Sequence, residues 1–156
     1  MSARAAVLAV ALVLAGSACA AQTPVRGRVV VSSMGPQPLT TLQVDSGGPL
    51  VLEGPLAAEL RTLNGASIEV QGARTSTPPN GGIDVERYVI LEIAGEAPFV
   101  GRLDASGTQL TLEDGMTLRL EGLPEPIRTG GAARIWVTGE RRGPAIEVRA
   151  AGVISR

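Results

Sequence analysis

The stretch Pro49–Gly72, PLVLEGPLAAELRTLNGASIEVQG, changes its apolar period twice. Leu50 and Leu52 share one face of a strand. Leu56, Leu60 and Leu63 then recur at i, i+4 and i+7, a narrow helical stripe that leaves Glu59 and Arg61 on the wet side. From Ser67 the period returns to two, with Ile68 and Val70 pointing one way and Glu69 and Gln71 the other. Gly54-Pro55 opens the helix, because a proline at the first helical position forfeits no hydrogen bond, and Asn64-Gly65 supplies the left-handed residue that ends it. The stretch predicts strand, short helix, strand.

Working outward, Arg26–Ser33 (RGRVVVSS) reads as a first buried strand. Met34–Pro38 breaks it, since Gly35, Pro36 and Pro38 cannot continue a ladder. Thr40–Asp45 alternates as a second strand, and Ser46-Gly47-Gly48 turns tightly into the third. Beyond Gly72, Ala73–Gly82 reads as a loop of turn formers and Ile83–Ile93 as a long fifth strand. Five strands with a helix between the third and fourth is the order of an OB-fold.

After Gly95 the pattern restarts. Phe99-Val100-Gly101-Arg102-Leu103 parallels Val25-Arg26-Gly27-Arg28-Val29, Leu120-Glu121-Gly122 parallels Leu52-Glu53-Gly54, Ile135-Trp136-Val137 parallels Ile68-Glu69-Val70, and Ile146-Glu147-Val148 parallels Ile83-Asp84-Val85. Between the third and fourth strands of the second copy, Pro124–Gly131 holds two prolines and two glycines and reads as non-helical. The expected fold is therefore mainly all-β: two tandem small OB-like five-stranded barrels, residues 25–95 and 98–156, of which the first alone carries a helix. With Gly27-Arg28-Val29 at a strand start, Leu52-Glu53-Gly54 before the helix and Val70-Gln71-Gly72 on the fourth strand, the mature chain resembles the small OB-like repeats of exported bacterial proteins of unknown function. That resemblance implies a fold and brings no catalytic residues with it.

The N-terminus reads as an export signal over residues 1–20. Met1–Arg4 is a short basic start, Ala5–Ala15 is an unbroken apolar run of 11 residues, and Gly16–Ala21 is small throughout. About 20 apolar residues are needed to span a bilayer, so the run is too short to do so. Two cleavage readings stand side by side. Ala18-Cys19-Ala20 suits an ordinary signal peptidase, whereas Leu14–Cys19 resembles a lipobox in which Cys19, the chain's only cysteine, would carry lipid. Lipidation would place the protein on a membrane through Cys19, and ordinary cleavage would leave it periplasmic. Neither outcome leaves a pair of cysteines for a disulfide.

Losing Arg4 leaves 13 basic residues, all arginine, against 15 acidic ones. Aromatic residues are one each of Phe, Tyr and Trp. A nucleic-acid binder of this size needs a basic stripe and stacking aromatics, so the composition argues against nucleic acid as a partner.

Little here reads as catalytic. Asp45-Ser46-Gly47-Gly48-Pro49 looks like the nucleophile motif of chymotrypsin-like proteases, but with no His or Lys in the chain the serine has no such base, and the motif reads as a turn. Asp84/Glu86 and Glu113/Asp114 are close carboxylate pairs with a solvated strand face and an Asp-Gly turn as their ordinary explanations. No spacing suits a metal and no glycine loop cradles a phosphate, so neither metal nor cofactor is expected and no catalytic residue is assigned. The binding candidates are Trp136, beside Arg134 on an outward strand face, and Arg141 and Arg142 in a later turn. Trp136 is either a platform for a sugar or peptide or a packing residue between the barrels. The loops Ser33–Pro38, Thr75–Gly82, Asp104–Gly107 and Arg141–Pro144 stand where OB-folds commonly bind. The expected function is a non-catalytic binding or adaptor role in the bacterial envelope, toward an envelope protein or a saccharide. The alternatives are a small carboxylate-based hydrolase and an OB-fold nucleic-acid or oligosaccharide binder.

Overall fold

The computed structural model describes residues 22–33 and 38–156. The export signal, Cys19 and most of the Ser33–Pro38 loop lie outside the described residues.

Ten strands and two short helices follow one another in two runs. The first run is β1 (Val25–Ser32), β2 (Leu39–Gln43), β3 (Leu50–Glu53), α1 (Ala57–Arg61), β4 (Ser67–Thr75) and β5 (Gly82–Glu92). The second is β6 (Phe99–Leu103), β7 (Gln109–Leu112), β8 (Thr117–Glu121), α2 (Glu125–Arg128), β9 (Ala133–Arg142) and β10 (Ala145–Ser155). In the first, β1 pairs with β2 and β4, β3 with β2 and β5, and β4 with β5, so the strands form a closed ring. The second closes in the same way. The pairs β3·β5 and β8·β10 are parallel and the rest antiparallel.

The expectation that only the first unit has a helix is corrected. Glu125–Arg128 is helical in the second, with Pro124 at its N-cap and Pro126 in its first turn. Prolines break a helix only where a preceding turn must accept their missing N–H, and at the start there is none. The first helix is also shorter than its sequence suggests: Pro55 and Leu56 lie in the turn before it, and Gly65, at φ +86°, closes the turn after it. The strand β4 runs on to Thr75, into what reads as loop. The Thr75 and Thr77 hydroxyls both donate to Glu53, fixing the shortened loop against β3.

Bulges bend both sheets at matching places. Opposite Gly72 and Gly139 the partner strands shift register. A Cβ on Gly72 would lie 1.9 Å from the Asp84 carbonyl, and one on Gly139 would lie 2.0 Å from that of Glu147. Glycine is therefore dictated at these two sites by the approach of the neighbouring backbone.

Each unit has its own apolar core, Val29, Leu42, Leu60, Ile68 and Val85 in the first and Leu103, Leu110, Leu118, Ile135 and Ile146 in the second. The first core also takes in residues of the second unit. Ile154 of β10 is buried within it, and Val100 and Trp136 pack against it. The outer face of β6, β9 and β10 is thus the seam along which the units dock.

Candidate functional site

The register of the strands explains why the seam lies where it does. Arg26 on β1 faces Glu69 on β4, and the two form a 2.6 Å ion pair. At the matching place in the second unit Val100 faces Trp136. The polar pair faces water and the apolar pair faces the other barrel. Trp136 also lies across β10 opposite Gly152, where a Cβ would come within 2.6 Å of the indole. Thr138, on the same strand, is buried as well.

Beside this apolar seam stands a polar clasp. Tyr88 of β5 donates its hydroxyl to Glu59 Oε2 of α1 at 2.7 Å. Arg134, from β9 of the other unit, donates Nη1–H to both Glu59 Oε2 and the Tyr88 hydroxyl at 3.0 Å. Its Nη2 donates to Glu113 Oε1 at 2.9 Å. The guanidinium carbon stands 5.3 Å from the Tyr88 ring centroid, within cation–π range. Burial alone would push the Glu59 carboxyl up, but hydrogen bonds from Tyr88 and Ser155 and the Arg134 charge outweigh it and hold the group below its ordinary value. Burial, reinforced by the bond to Glu59, pushes the Tyr88 hydroxyl well up, so it stays a donor at any physiological pH.

Glu59 does not point to water, as its place on the helix suggests; its side chain is 22% exposed and faces the second barrel. A helix that packs on one barrel alone would leave that side wet. The docked neighbour is what covers it.

Next to the clasp, the outer surface of the second unit forms a groove of about 400 Å³ lined by Gly101, Arg102, Thr111, Leu112, Glu113 and Arg134. Its basic pair is set by register, for Arg102 on β6 stands directly across from Arg134 on β9. Arg134 is compensated by Glu59 and Glu113, while Arg102 is exposed and has no hydrogen-bond or ion-pair partner among the described residues. The equivalent place in the first unit is a groove of about 280 Å³ lined in part by Gly27, Arg28, Asp45 and Ser67. There Arg28 faces Ser67 across the strands, and the other cation lining the groove, Arg26, is paired with Glu69.

The sequence candidates are not brought together. Trp136 is half-buried in the seam and Arg134 is in the clasp, whereas Arg141 and Arg142 lie seven and eight residues beyond Arg134 on β9, about 25 Å along the strand at roughly 3.3 Å per residue. Arg141 donates to the Gly143 carbonyl at 3.0 Å, and Arg142 pairs with Glu140 and with Glu147. Of the loops, Asp104–Gly107 is braced internally, Asp104 accepting from the Thr108 and Gln109 amides and the Ser106 hydroxyl. Those bonds, that from Ser106 foremost, lower the Asp104 carboxyl to about 2. Asp45–Gly48 is a bend between β2 and β3. Glu113 and Asp114 act separately, one on Arg134 and the other accepting from the Met116 amide at 2.9 Å. Among the described residues no group of three or more His, Cys, Asp or Glu is placed to hold a metal ion.

Arg102 and Tyr88 are the site residues that sequence reasoning passes over. The Gly-Arg pair repeated at 27–28 and 101–102 is a signal for the first. Tyr88, inside a run of alternating apolar residues, gives none.

Comparison with known proteins finds no matching family model, no similar curated protein and no similar solved structure.

Proposed function

We propose that this chain is a non-catalytic binding or adaptor module of the bacterial cell envelope, exported by its N-terminal segment and either lipid-anchored at Cys19 or released into the periplasm. The observation that carries the reading is the groove at 101–102, 111–113 and 134, set beside the Arg134 clasp. Its chemistry is that of recognition. Two guanidiniums, a displaceable carboxylate and an apolar wall offer charge and shape, and the one hydroxyl in it, on Thr111, faces the Thr117 hydroxyl at 3.4 Å, which cannot serve as a base. Outside the groove, Arg141 and Arg142 belong to internal contacts and are not assigned to the binding surface.

Affinity capture from envelope extract, with wild type and Arg102→Glu side by side, tests the binding role. A partner retained by wild type and lost with the variant supports it; identical retention by both contradicts the assigned surface. Mass spectrometry of the mature N-terminus decides the anchor: a diacylated Cys19 establishes lipidation, and a start at Ala21 refutes it.

A further inference from the structure

We propose that the groove beside the clasp is a receptor for an organic carboxylate with a short apolar body, held by Arg102 and Arg134 together. The proposal rests on the binding reading above and names the ligand chemistry of that groove.

The starting point is a like-charge pair. Arg102 and Arg134 are direct cross-strand partners, and like charges in that position repel at a Cβ separation of about 5 Å. Natural sheets relieve such a pair with an intervening anion or by turning one side chain away. Here the relief is one-sided. Arg134 is fixed in place by Glu59 and Tyr88, both from the other unit, and cannot turn. Arg102 has no partner among the described residues. Two guanidiniums on adjacent strands, one locked and one free, form the fork that a carboxylate bridges with parallel charge-assisted bonds.

The anion now at the fork is Glu113, whose side chain is 72% exposed and which touches Arg134 alone. It occupies part of the place a ligand carboxylate would take and is held at a solvent-facing ion pair of small worth. An incoming carboxylate displaces Glu113 from Nη2 while the Nη1 bonds to Glu59 and Tyr88 remain, so binding leaves the clasp intact. Around the fork, Leu112 and the bare backbone at Gly101 provide an apolar wall. A Cβ at Gly101 would lie 2.3 Å from the Thr111 carbonyl, so the bareness is imposed by the close approach of β7 and persists without a ligand. A groove of about 400 Å³ takes a body of several carbons, the size of an aliphatic acid or the last residue of a peptide. At the matching register of the first unit Ser67 stands in place of the second arginine, and the other cation of that groove, Arg26, is held by Glu69, which confines the site to the second unit.

The test is a titration of the mature chain followed by amide NMR. With 4-methylpentanoate, saturable shifts are expected at Gly101, Arg102, Thr111 and Leu112. The neutral 4-methylpentanamide should give none. Arg102→Gln, at an exposed position that leaves both cores untouched, should weaken binding about tenfold or more, as expected for loss of a charged hydrogen-bond partner. Glu113→Gln should tighten it a few-fold by removing the competing carboxylate, a gain that damage to folding cannot produce. A leucine-terminated peptide with a free carboxylate, compared with its amidated form and with the free acid, separates a peptide C-terminus from a small metabolite as the source. Equal binding of acid and amide, equal binding by Arg102→Gln, or inorganic phosphate binding as tightly as the acid each overturns the proposal. If the carboxylates fail while envelope capture still depends on Arg102, the ligand chemistry alone is wrong; if both fail, the binding reading falls with it.

Discussion

Arg134 of the second barrel and Glu59 of the first, 75 residues apart in sequence, meet at 3.0 Å with the Tyr88 hydroxyl shared between them. With side-chain exposures of 28% and 22% they are neither a surface pair nor a buried one. The cycle formed by Arg134→Ala, Glu59→Ala and the double variant should give a coupling of about 1–2 kcal/mol in urea unfolding, because each partner left alone is a partly desolvated charge. The exposed Arg119–Glu121 pair, run as a control, should give about 0.5 kcal/mol or less. Equal coupling in the two cycles would mean that the clasp is ordinary surface electrostatics.

Acid should loosen the clasp. The carboxyl of Glu59 is held below its ordinary value of 4.5 in the folded state, so its stabilisation is complete above that pH and is lost as pH falls through the depressed value. Glu53, lowered by its bonds from Thr75 and Thr77, and Asp104, lowered to about 2, lose theirs at acid pH too. The Glu59 share is isolated with Glu59→Gln: its stability should fall less steeply than wild type below about pH 4.5, and parallel curves would remove Glu59 from the account.

The indole of Trp136, the chain's only tryptophan, reports on the seam. Gly152→Ala would place a methyl 2.6 Å from that ring, which must then move. A loss of about 1–3 kcal/mol and a red-shifted emission are expected, since overpacking a seam forces the ring toward water. Emission unchanged from wild type would show that Trp136 does not lie over β10.

Glycine substitutions separate close approach from backbone conformation. At Gly72, Ala meets a carbonyl at 1.9 Å and should cost about 3 kcal/mol or more. At Gly65, with φ +86° and nothing within 4 Å, the cost should be about 1 kcal/mol, that of a left-handed alanine. Chemical denaturation of the two variants checks the order, and a reversed order would refute the bulge geometry.

What the sequence makes legible follows from how local the physics is. Ile68 and Val70, or Ile135 and Val137, point inward because a period of two leaves them no alternative, and those positions can be read directly. The second helix is hidden because Pro124 and Pro126 count against a helix unless it is known that they begin one. The site is hidden for a different reason. Arg102 faces Arg134 only once the β6·β9 register is fixed, and Glu59 meets Arg134 only once the barrels dock. The change from Arg26–Glu69 to Val100–Trp136 is visible as a sequence change, but its meaning is the presence of a neighbour.

The central claim is that the two units form one body, joined by the Trp136–Ile154 seam and the Arg134 clasp. Differential scanning calorimetry of the mature chain tests it most directly. The account predicts one transition whose calorimetric and van't Hoff enthalpies agree, and its separation into two in a Trp136→Ala/Arg134→Ala variant. Two independent transitions in the wild-type protein would contradict it.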